Sequence, residues 1–599
     1  MSRIQALLAL LLAALLIESL PAAAAPPDPA ARTDRAIRRS DVVFMYDNPD
    51  LYETYGCTVL GWAGRADAEH IEAAHAKGVR HFSASVGFRT EGRGMMDFSD
   101  DFLDAACRDF AAKPIVVPWL WDHKYKGHPF YWWCTNSPLF HKYLDSRLVK
   151  VMQAKPDGLH IDDYTGTAST VTWLSGCFCR HCMAAFREDV KKNVPKEKLA
   201  ELGIDDLSKF DYREFLVQKG VTPEDYKKRR ASLPLSREFL DFQVKAATDF
   251  VARYYKRAKE LRGAPLTLCV NSGLGNPQSL AIARHLSYFC CEVGHNAPSR
   301  KPPTHPVYIY KLADGLDRPV TSTAGGWDWA YVMEHKLPGL VRTWTAMSYA
   351  FGHTLMAPHR QWCYTQQKGT HWYTGPTEEY AWLHRFVRQH ARLLDRYEAV
   401  APVAVVYDQA AQRKHRGNIE PICTALAAGS MPFTVVVAGD DWLDYRLDAA
   451  SLARFKAVIV TKDLDLDAAQ RKLLDQVAAD GRLVVWPDDK RLEELVPAPV
   501  AVEGSDQVWA VPRAIPGDRD APVVVHLLNR QYDAEKDTMV PQKRLTLRLR
   551  RDLFRGRKLA KATLHAPRTE PVVLDTSAGD ESTTVKIPEL GLWGIVDLH

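Results

Sequence analysis

The chain has 599 residues, enough for three or four domains of ordinary size. Hydrophobic residues make up 46% and charged residues 25%, a globular composition that excludes a largely disordered, collagenous or coiled-coil protein. Its 78 basic residues nearly balance 73 acidic ones and leave a net charge of +5, so the sequence disfavours nucleic acid as a partner.

The first 25 residues have the pattern of a secretory signal peptide. Arg3 precedes an apolar run over 6–17, and the small residues 22–25 follow it. The run is too short to span a bilayer comfortably, and the rest of the chain contains no long apolar stretch. We therefore expect an exported protein, periplasmic or secreted, without a membrane span.

Eight short apolar segments, most of them followed by an amphipathic stretch, lie between about residues 57 and 364. Apolar strands that alternate with helices predict a parallel sheet, and eight such units predict a (β/α)8 TIM barrel over 38–398. The long connection after strand 4 predicts a helical insertion over about 186–262. A further segment, 41–46, belongs either to the barrel floor or to strand 1. The eight predicted strands are 58–64, 79–88, 114–120, 158–163, 265–272, 288–294, 319–323 and 354–359.

Two further patterns follow the barrel. Four strands that alternate with helices predict a small doubly wound α/β domain of the flavodoxin type over 401–497. Period-two strands without helices then predict an antiparallel β-sandwich over 498–599. A domain of the amidotransferase type would need a cysteine after its third strand in order to be catalytic. This domain has none there, so we predict a structural role for it.

Three carboxylates at predicted strand ends are the candidate catalytic groups. The loops at the carboxyl ends of the strands carry the active site of such a barrel. Strand 4 ends in Asp162 and Asp163, and strand 6 carries Glu292 among apolar neighbours that favour a protonated carboxyl. Hydrolysis by a carboxylate pair needs one carboxylate that attacks or activates water and one protonated carboxyl that assists the leaving group. We assign Glu292 as general acid/base and the aspartates as the source of the nucleophile or base; a helix cap or an ion pair is the alternative role.

Tryptophans and polar residues occur at several other predicted strand ends. A tryptophan offers a flat apolar face with a polar edge, which suits stacking on a sugar ring. No phosphate-binding loop, dinucleotide fingerprint, metalloprotease motif or esterase elbow occurs at a convincing place. If Glu292 is not catalytic, Asp328 and Asp122 are the next candidates. The predicted carbohydrate-binding residues are Trp62, Trp119, Asp122, Asn271, His295, Trp327, Asp328, Arg360 and Trp362.

The chain contains two cysteine motifs, Cys134-Thr135-Asn136-Ser137-Pro138 and the C-x-C-x-x-C of Cys177, Cys179 and Cys182 with the nearby Phe186-Arg187. These motifs resemble the barrel of glycoside hydrolase family 42, the β-galactosidases. The resemblance implies a structural zinc, and four thiolates from two loops suit tetrahedral zinc independently of the family. Oxidation of these thiols in an exported protein is the competing prediction. The similar domain order implies an amidotransferase-like domain over 401–497 that holds a homo-oligomer, a trimer, together. The zinc ligands that the resemblance implies are Cys134, Cys177, Cys179 and Cys182.

The catalytic positions depart from that family. It has Asn-Glu at the tip of strand 4, with the Glu as acid/base, and a nucleophilic Glu on strand 7. This chain has Asp162-Asp163 and no Glu on strand 7. The α-galactosidase clan, with an Asp nucleophile on strand 4 and an acid/base carboxylate on strand 6, is more similar. The assignment used for family 42 would instead make Asp163 the acid, so that the roles of the aspartates and Glu292 are reversed.

The sequence therefore predicts an exported glycoside hydrolase that cleaves an oligo- or polysaccharide. The alternative is a barrel that has lost catalysis and only binds glycans, as the missing strand 7 Glu would allow. A zinc-dependent hydrolase is disfavoured, because four thiolates leave no open coordination position.

Overall fold

A computed structural model describes residues 37–87, 92–162 and 164–599. Its largest sheet has eight parallel strands that pair in chain order. The backbone N–H of Ala357, just after the last strand, donates to the carbonyl oxygen of Val43 in the first at 2.8 Å, which nearly closes the ring. The predicted TIM barrel is confirmed. Its strands are β1 Val43–Phe44, β2 Val59–Ala63, β3 His81–Gly87, β4 Gly158–Asp162, β5 Thr267–Asn271, β6 Tyr288–Val293, β7 Val320–Ala324 and β8 Thr354–Leu355.

One predicted strand is wrong. Segment 114–120 does not join the barrel; β3 pairs directly with β4, and Val43–Phe44 supplies the missing eighth strand. Pro114 and Pro118 lack the backbone N–H that a central strand must donate, so the segment forms only isolated bridges and the short 3-10 helix Pro118–Leu120. Trp119 and Asp122 therefore lie in the loop after β3 and not at a strand end.

Helices cover the outside of the barrel and form the predicted insertion. Their ends follow sequence signals: Ser137 caps Pro138–Gln153 through the N–H of Phe140, and Thr222 and Asp225 form a capping box. Within the part of the chain that the structure describes, no helix is long and apolar enough to cross a membrane. The α-helices of this region are Tyr52–Tyr55, Ala68–Ala76, Gly92–Phe98, Pro138–Gln153, Gly166–Trp173, Arg180–Asn193, Lys196–Glu201, Tyr212–Gln218, Pro223–Arg229, Ser236–Arg262, His305–Gly315, Gly326–His335, Pro338–Ala350 and Thr377–Gln389.

The loop after β8 forms an antiparallel hairpin of β9, Arg360–Thr365, and β10, Gly369–Thr374. In its register Trp362 is opposite Trp372 and Arg360 is opposite Thr374, so these side chains share one face. The other face carries buried side chains such as Cys363 and packs against the barrel core. The hairpin therefore presents its aromatic face at the carboxyl ends of the barrel strands.

The α/β region has a four-stranded parallel sheet in the order Phe433–Ala438, Val403–Asp408, Ala457–Val460 and Leu483–Val485. Such nearly all-apolar strands are expected where helices cover both faces. The proposed boundaries of this domain at 401 and 497, like those of the barrel and the sandwich, stay predictions. The elements are β11 Val403–Asp408, β12 Phe433–Ala438, β13 Ala457–Val460 and β14 Leu483–Val485, with helices Gln409–Arg413, Glu420–Ala428, Ala449–Ala453, Ala468–Ala479 and Asp489–Leu495.

The C-terminal region has two antiparallel sheets that share one apolar core. In Gln542–Arg550 the side chains alternate between buried leucines and exposed basic residues, the pattern of a strand with one solvated face. This agrees with the predicted sandwich. In sheet order the strands are Glu398–Ala399, Val508–Ala514, Val523–Asn529, Trp593–Leu598, Ala562–His565 and Val572–Leu574, then Val500–Glu503, Gln542–Arg550, Ser582–Leu590 and Thr576–Ala578.

Five histidines buried in and around the barrel predict instability in acid. Unfolded imidazoles take up a proton below about pH 6.5, whereas the folded ones stay neutral until much lower pH, so stability present at neutral pH is lost as pH falls. Each contributes up to about 2 kcal/mol between pH 6.5 and 5. Burial lowers the pKa of His81 and His160 to about 3, and that of His295, His359 and His384 to about 4.

We expect the melting temperature to fall steeply between pH 6.5 and 5, measured by calorimetry in buffers of equal ionic strength. His384→Gln removes one such group and should make the fall shallower, although it also replaces the ring that contacts the carbonyl oxygen of Tyr380. A melting temperature that is constant over this range would contradict the prediction.

Candidate active site

The ends of β4, β5 and β6 are joined through one amide side chain. Asp162 pairs with Asn271 in the register of β4 and β5. Nδ2 of Asn271 donates to Oδ1 of Asp162 at 2.9 Å, and the backbone N–H of Glu292 donates to Oδ1 of Asn271 at 3.4 Å. Asp162 and Glu292 thus lie on strands that flank Asn271, at the end of the barrel that carries active sites. Asp163 lies outside the described residues.

The Asn271 amide has one orientation that satisfies both contacts. A backbone N–H only donates, so the amide oxygen must face Glu292 and the amide nitrogen must face Asp162. A donor directed at a carboxylate stabilises its ionised form. The Asn271 amide therefore favours the ionised form of Asp162, the form that a nucleophile or a base requires.

Tyr46, two residues after β1, is a site residue that sequence reasoning missed. Burial raises the pKa of its phenol, and the negative charges of Asp162 and Glu292 raise that pKa further, whereas the Arg360 guanidinium acts in the opposite direction. Both carboxylates and the guanidinium therefore act on one hydroxyl, which stays protonated at neutral pH and is able to donate. The signal was the segment 41–46, which ends where a first barrel strand would open into the site.

Trp62 lies on the floor of the mouth. Its ring is 4.3 Å from the buried ring of His160, the residue two before Asp162 on β4. Nδ1 of His160 is 3.0 Å from Oγ of Ser85 on the neighbouring strand, which fixes the imidazole. Residues two apart on a strand point to the same face, so the His160 ring lies one layer deeper in the barrel than Asp162. From there it packs against Trp62.

Further aromatic rings surround the mouth. Trp119 stacks on Trp173 with centroids 5.7 Å apart, and its carbonyl oxygen accepts from Oγ1 of Thr370 in the β9–β10 hairpin at 3.1 Å. Trp327 is 63% exposed, and its ring meets Tyr364 edge-on at 5.3 Å. The structure thus brings the predicted tryptophans to one end of the barrel.

The remaining predicted polar residues fall into two groups. Arg360 is exposed on the hairpin. Asp122 lies next to the hairpin turn, since a Cβ added to Gly369 would be 2.7 Å from the Asp122 carboxylate. His295 instead is buried against Trp344, with ring centroids 4.6 Å apart.

Asp328 is also buried, and its carboxylate accepts from the backbone N–H groups of His295 and Ala297 at 2.8 and 2.7 Å. This arrangement fixes the turn after β6. His295 is buried against Trp344, and the carboxylate of Asp328 is bound by two backbone N–H groups. Neither residue therefore belongs to the proposed sugar-binding site.

Four buried cysteines form one cluster, as predicted from the two motifs. Their Sγ atoms lie within 4.8 Å of one another, and Cys134 Sγ is 3.5 Å from those of Cys179 and Cys182. Cys179 also caps the helix Arg180–Asn193. The cluster sits in the apolar core of the helical insertion, where a fifth thiol, Cys107, is next to Cys134 and Cys177.

The donor set fits a tetrahedral metal ion. Thiolates about 2.3 Å from zinc are about 3.8 Å from one another, close to the separations seen here and far longer than a disulfide bond of about 2.0 Å. Backbone and side-chain N–H groups are directed at the sulfurs: Asn136 donates to Cys134 and Cys182 at 3.3 Å, and Arg108 donates to Cys177 at 3.4 Å. Such donors stabilise thiolates. The cluster could hold a metal ion.

No protein-family model matches the chain. It is 24% identical over 607 residues to an alpha-agarase of Thalassotalea agarivorans and 24% identical over 609 residues to one of Alteromonas agarilytica. These alignments cover 94% of this chain but 40% and 41% of the relatives, so the chain spans about two fifths of their length. Neither relative is named a β-galactosidase, and the likeness to family 42 stays a prediction.

A solved structure, alpha-L-fucosidase isoenzyme 2 from Paenibacillus thiaminolyticus, has the same fold. Its TM-score is 0.62 at 12% identity, over 94% of this chain and 100% of that chain. At this identity the likeness extends to the fold and not to the reaction.

Proposed function

We propose that the chain is a glycoside hydrolase that acts on a polysaccharide of the agar type. The observation that carries the proposal is the arrangement at the ends of β4 to β6, where Asn271 joins Asp162 to the strand that holds Glu292. Two carboxylates around one cleft are what glycoside hydrolysis requires. The relatives named alpha-agarase suggest the substrate class.

In the proposed reaction Asp162, or its neighbour Asp163, is the nucleophile or the base. The ionised carboxylate attacks the anomeric carbon, or removes a proton from the water that does so. The carboxyl of Glu292 donates its proton to the glycosidic oxygen as the glycosidic bond breaks, so that the leaving sugar departs neutral. Where the carboxylate has attacked, water then displaces it from the anomeric carbon, and the ionised Glu292 takes up the proton of that water. Tyr46 donates a hydrogen bond within the site, and Trp62 and the rim tryptophans stack on sugar rings.

We further propose that the cysteine cluster holds zinc. Four thiolates fill every position of a tetrahedral ion, so the metal would have a structural role and would not contact substrate. Cys134 belongs to the loop after β3 and the other three ligands follow β4. The metal would thus join two loops on either side of the proposed nucleophile. Export and assembly into a trimer through the region 401–497 are parts of the same proposal, made from the sequence.

Hydrolysis is tested by incubating the purified chain with agarose and, as matched controls, with dextran and soluble cellulose. We expect new reducing ends and discrete fragments from agarose only, measured by a reducing-sugar assay and mass spectrometry. The alternative, a glycan-binding barrel without catalysis, predicts binding to agarose with no new reducing ends. Equal release from all three polymers would contradict the proposed substrate class.

A further inference from the structure

The β9–β10 hairpin carries a continuous aromatic stripe that starts beside the proposed catalytic carboxylates. Trp362 and Trp372 are directly opposite in the hairpin register, with Arg360 and Tyr364 on the same face. The rings of Trp362 and Tyr364 are nearly parallel, at 17° and 5.9 Å. The backbone therefore aligns these side chains in one row, which we call the hairpin stripe.

Both ends of the hairpin stripe are fixed to the barrel mouth. At one end Tyr46, the phenol that both carboxylates influence, meets Trp372 edge-on at 4.9 Å, and the Arg360 guanidinium is 4.5 Å above the ring of Trp372. At the other end Tyr364 meets Trp327 at 5.3 Å. A Cβ at Gly326 would be 2.5 Å from the ring of Trp362, so that ring lies directly on the first turn of the helix after β7.

The hairpin stripe is exposed at Arg360 and Trp372, half-buried at Trp362 and buried at Tyr364, and the neighbouring Trp327 extends the exposed surface. Trp372 is 40% and Trp327 is 63% exposed, whereas the opposite face of the hairpin is buried. Large exposed aromatic side chains in a row mark a binding surface. Six residues of β9 span about 17 Å at the rise of an antiparallel strand, a length that several consecutive sugar rings occupy.

We propose that the hairpin stripe binds a run of consecutive sugar units of a polysaccharide whose scissile bond lies at Asp162 and Glu292. This inference rests on the proposed function and names its substrate class: a long chain and not a small glycoside. Trp372 stacks on the sugar unit nearest the carboxylates, and Arg360 donates hydrogen bonds to the same unit. Trp362 and Trp327 stack on units farther along the chain. Continuity with Tyr46 favours a saccharide chain as the occupant over a second copy of the protein.

The test is affinity electrophoresis in native polyacrylamide gels that contain increasing low-gelling agarose. The scaffold is the double variant Asp162→Asn/Glu292→Gln, which keeps the ligand intact. On this scaffold Trp362→Ala and Trp372→Ala should each weaken retardation by agarose at least about tenfold, as loss of an aromatic anchor does. The matched control is Trp382→Ala, since Trp382 is also covered by an arginine, with Arg568 4.2 Å from its ring, but lies on the helix Thr377–Gln389.

A second measurement separates this inference from the proposed function. In the active protein Trp362→Ala, at a unit farther from the carboxylates, should lower kcat/KM on agarose at least about tenfold and leave kcat/KM on its shortest cleaved fragment within about twofold. Unchanged retardation of both stripe variants, or no retardation of the scaffold by agarose, would overturn the hairpin stripe as a saccharide site. If the stripe variants instead change the molecular mass measured by light scattering and not the retardation, the hairpin stripe is a contact between copies of the protein and the saccharide site is refuted. Retardation that depends on the stripe, in a protein that releases no reducing ends, would refute only the hydrolase.

Discussion

Asp162→Asn and Glu292→Gln are each expected to lower turnover on agarose at least about a hundredfold, the scale of a positioned acid or base. The first change removes the negative charge that Asn271 holds in place, and the second removes the proton donor on β6. Turnover is measured by initial rates of reducing-end release, with melting temperatures to show that the fold is kept. Glu334→Gln, on an exposed residue of the helix Gly326–His335, is the matched control and should retain activity.

Chemical rescue distinguishes a reacting carboxylate from a structural one. Asp162→Ala should regain part of its turnover when azide or formate is supplied, because a small anion can take the place of the missing carboxylate. Turnover in Glu292→Gln close to that of the unaltered protein would refute the assignment on β6 and make Asp122 the next candidate. Loss in Asp162→Asn without rescue of Asp162→Ala would transfer the nucleophile to Asp163.

Cys177→Ser is expected to abolish metal binding and to lower the free energy of unfolding by at least about 2 kcal/mol, since a structural metal contributes its binding energy to the fold. Elemental analysis should find about one zinc per chain in the unaltered protein, as a closed four-thiolate site holds a single ion. Denaturant unfolding gives the change in stability. Cys107→Ala is the matched control, because its thiol lies beside the cluster but outside the four-sulfur set, and zinc content should be unchanged.

Absence of zinc together with disulfide bonds among Cys134, Cys177, Cys179 and Cys182 would refute this prediction. All four are free thiols here, with separations that suit a metal ion better than a covalent bond. Thiol titration under denaturing conditions, with and without a chelator, distinguishes the two states directly.

The barrel could be predicted because its signal is periodic. Apolar strands alternating with helices have few other solutions, and strands 4 to 8 follow the predicted positions closely. The failure came where the signal is short: Val43–Phe44 has only two residues, whereas 114–120 is apolar but interrupted by Pro114 and Pro118. Local hydrophobicity cannot register a missing N–H donor, which decided between the two segments.

The sequence predicted those site residues that lie at the ends of assigned strands. Asp162, Asn271 and Glu292 end neighbouring strands, so their proximity follows from strand order. Tyr46 was missed because its strand was not assigned, and Trp372 was missed because the hairpin register brings it opposite Trp362. Nothing local in the sequence distinguishes Asp328, which is buried under two backbone donors, from a carboxylate that faces solvent.

A metal ion in the cysteine cluster would also constrain the chain around β4. Cys134 precedes this strand and Cys177 follows it, so a metal ion bound to both would close a ring of roughly 40 residues with β4 inside it, a constraint that reduces the entropy of the unfolded chain. The proposed nucleophile at the tip of β4 would then belong to a cyclic segment. Opening that ring would free both connections of one strand at once, and the geometry of Asp162 would depend on the oxidation state of sulfur atoms that never touch the substrate.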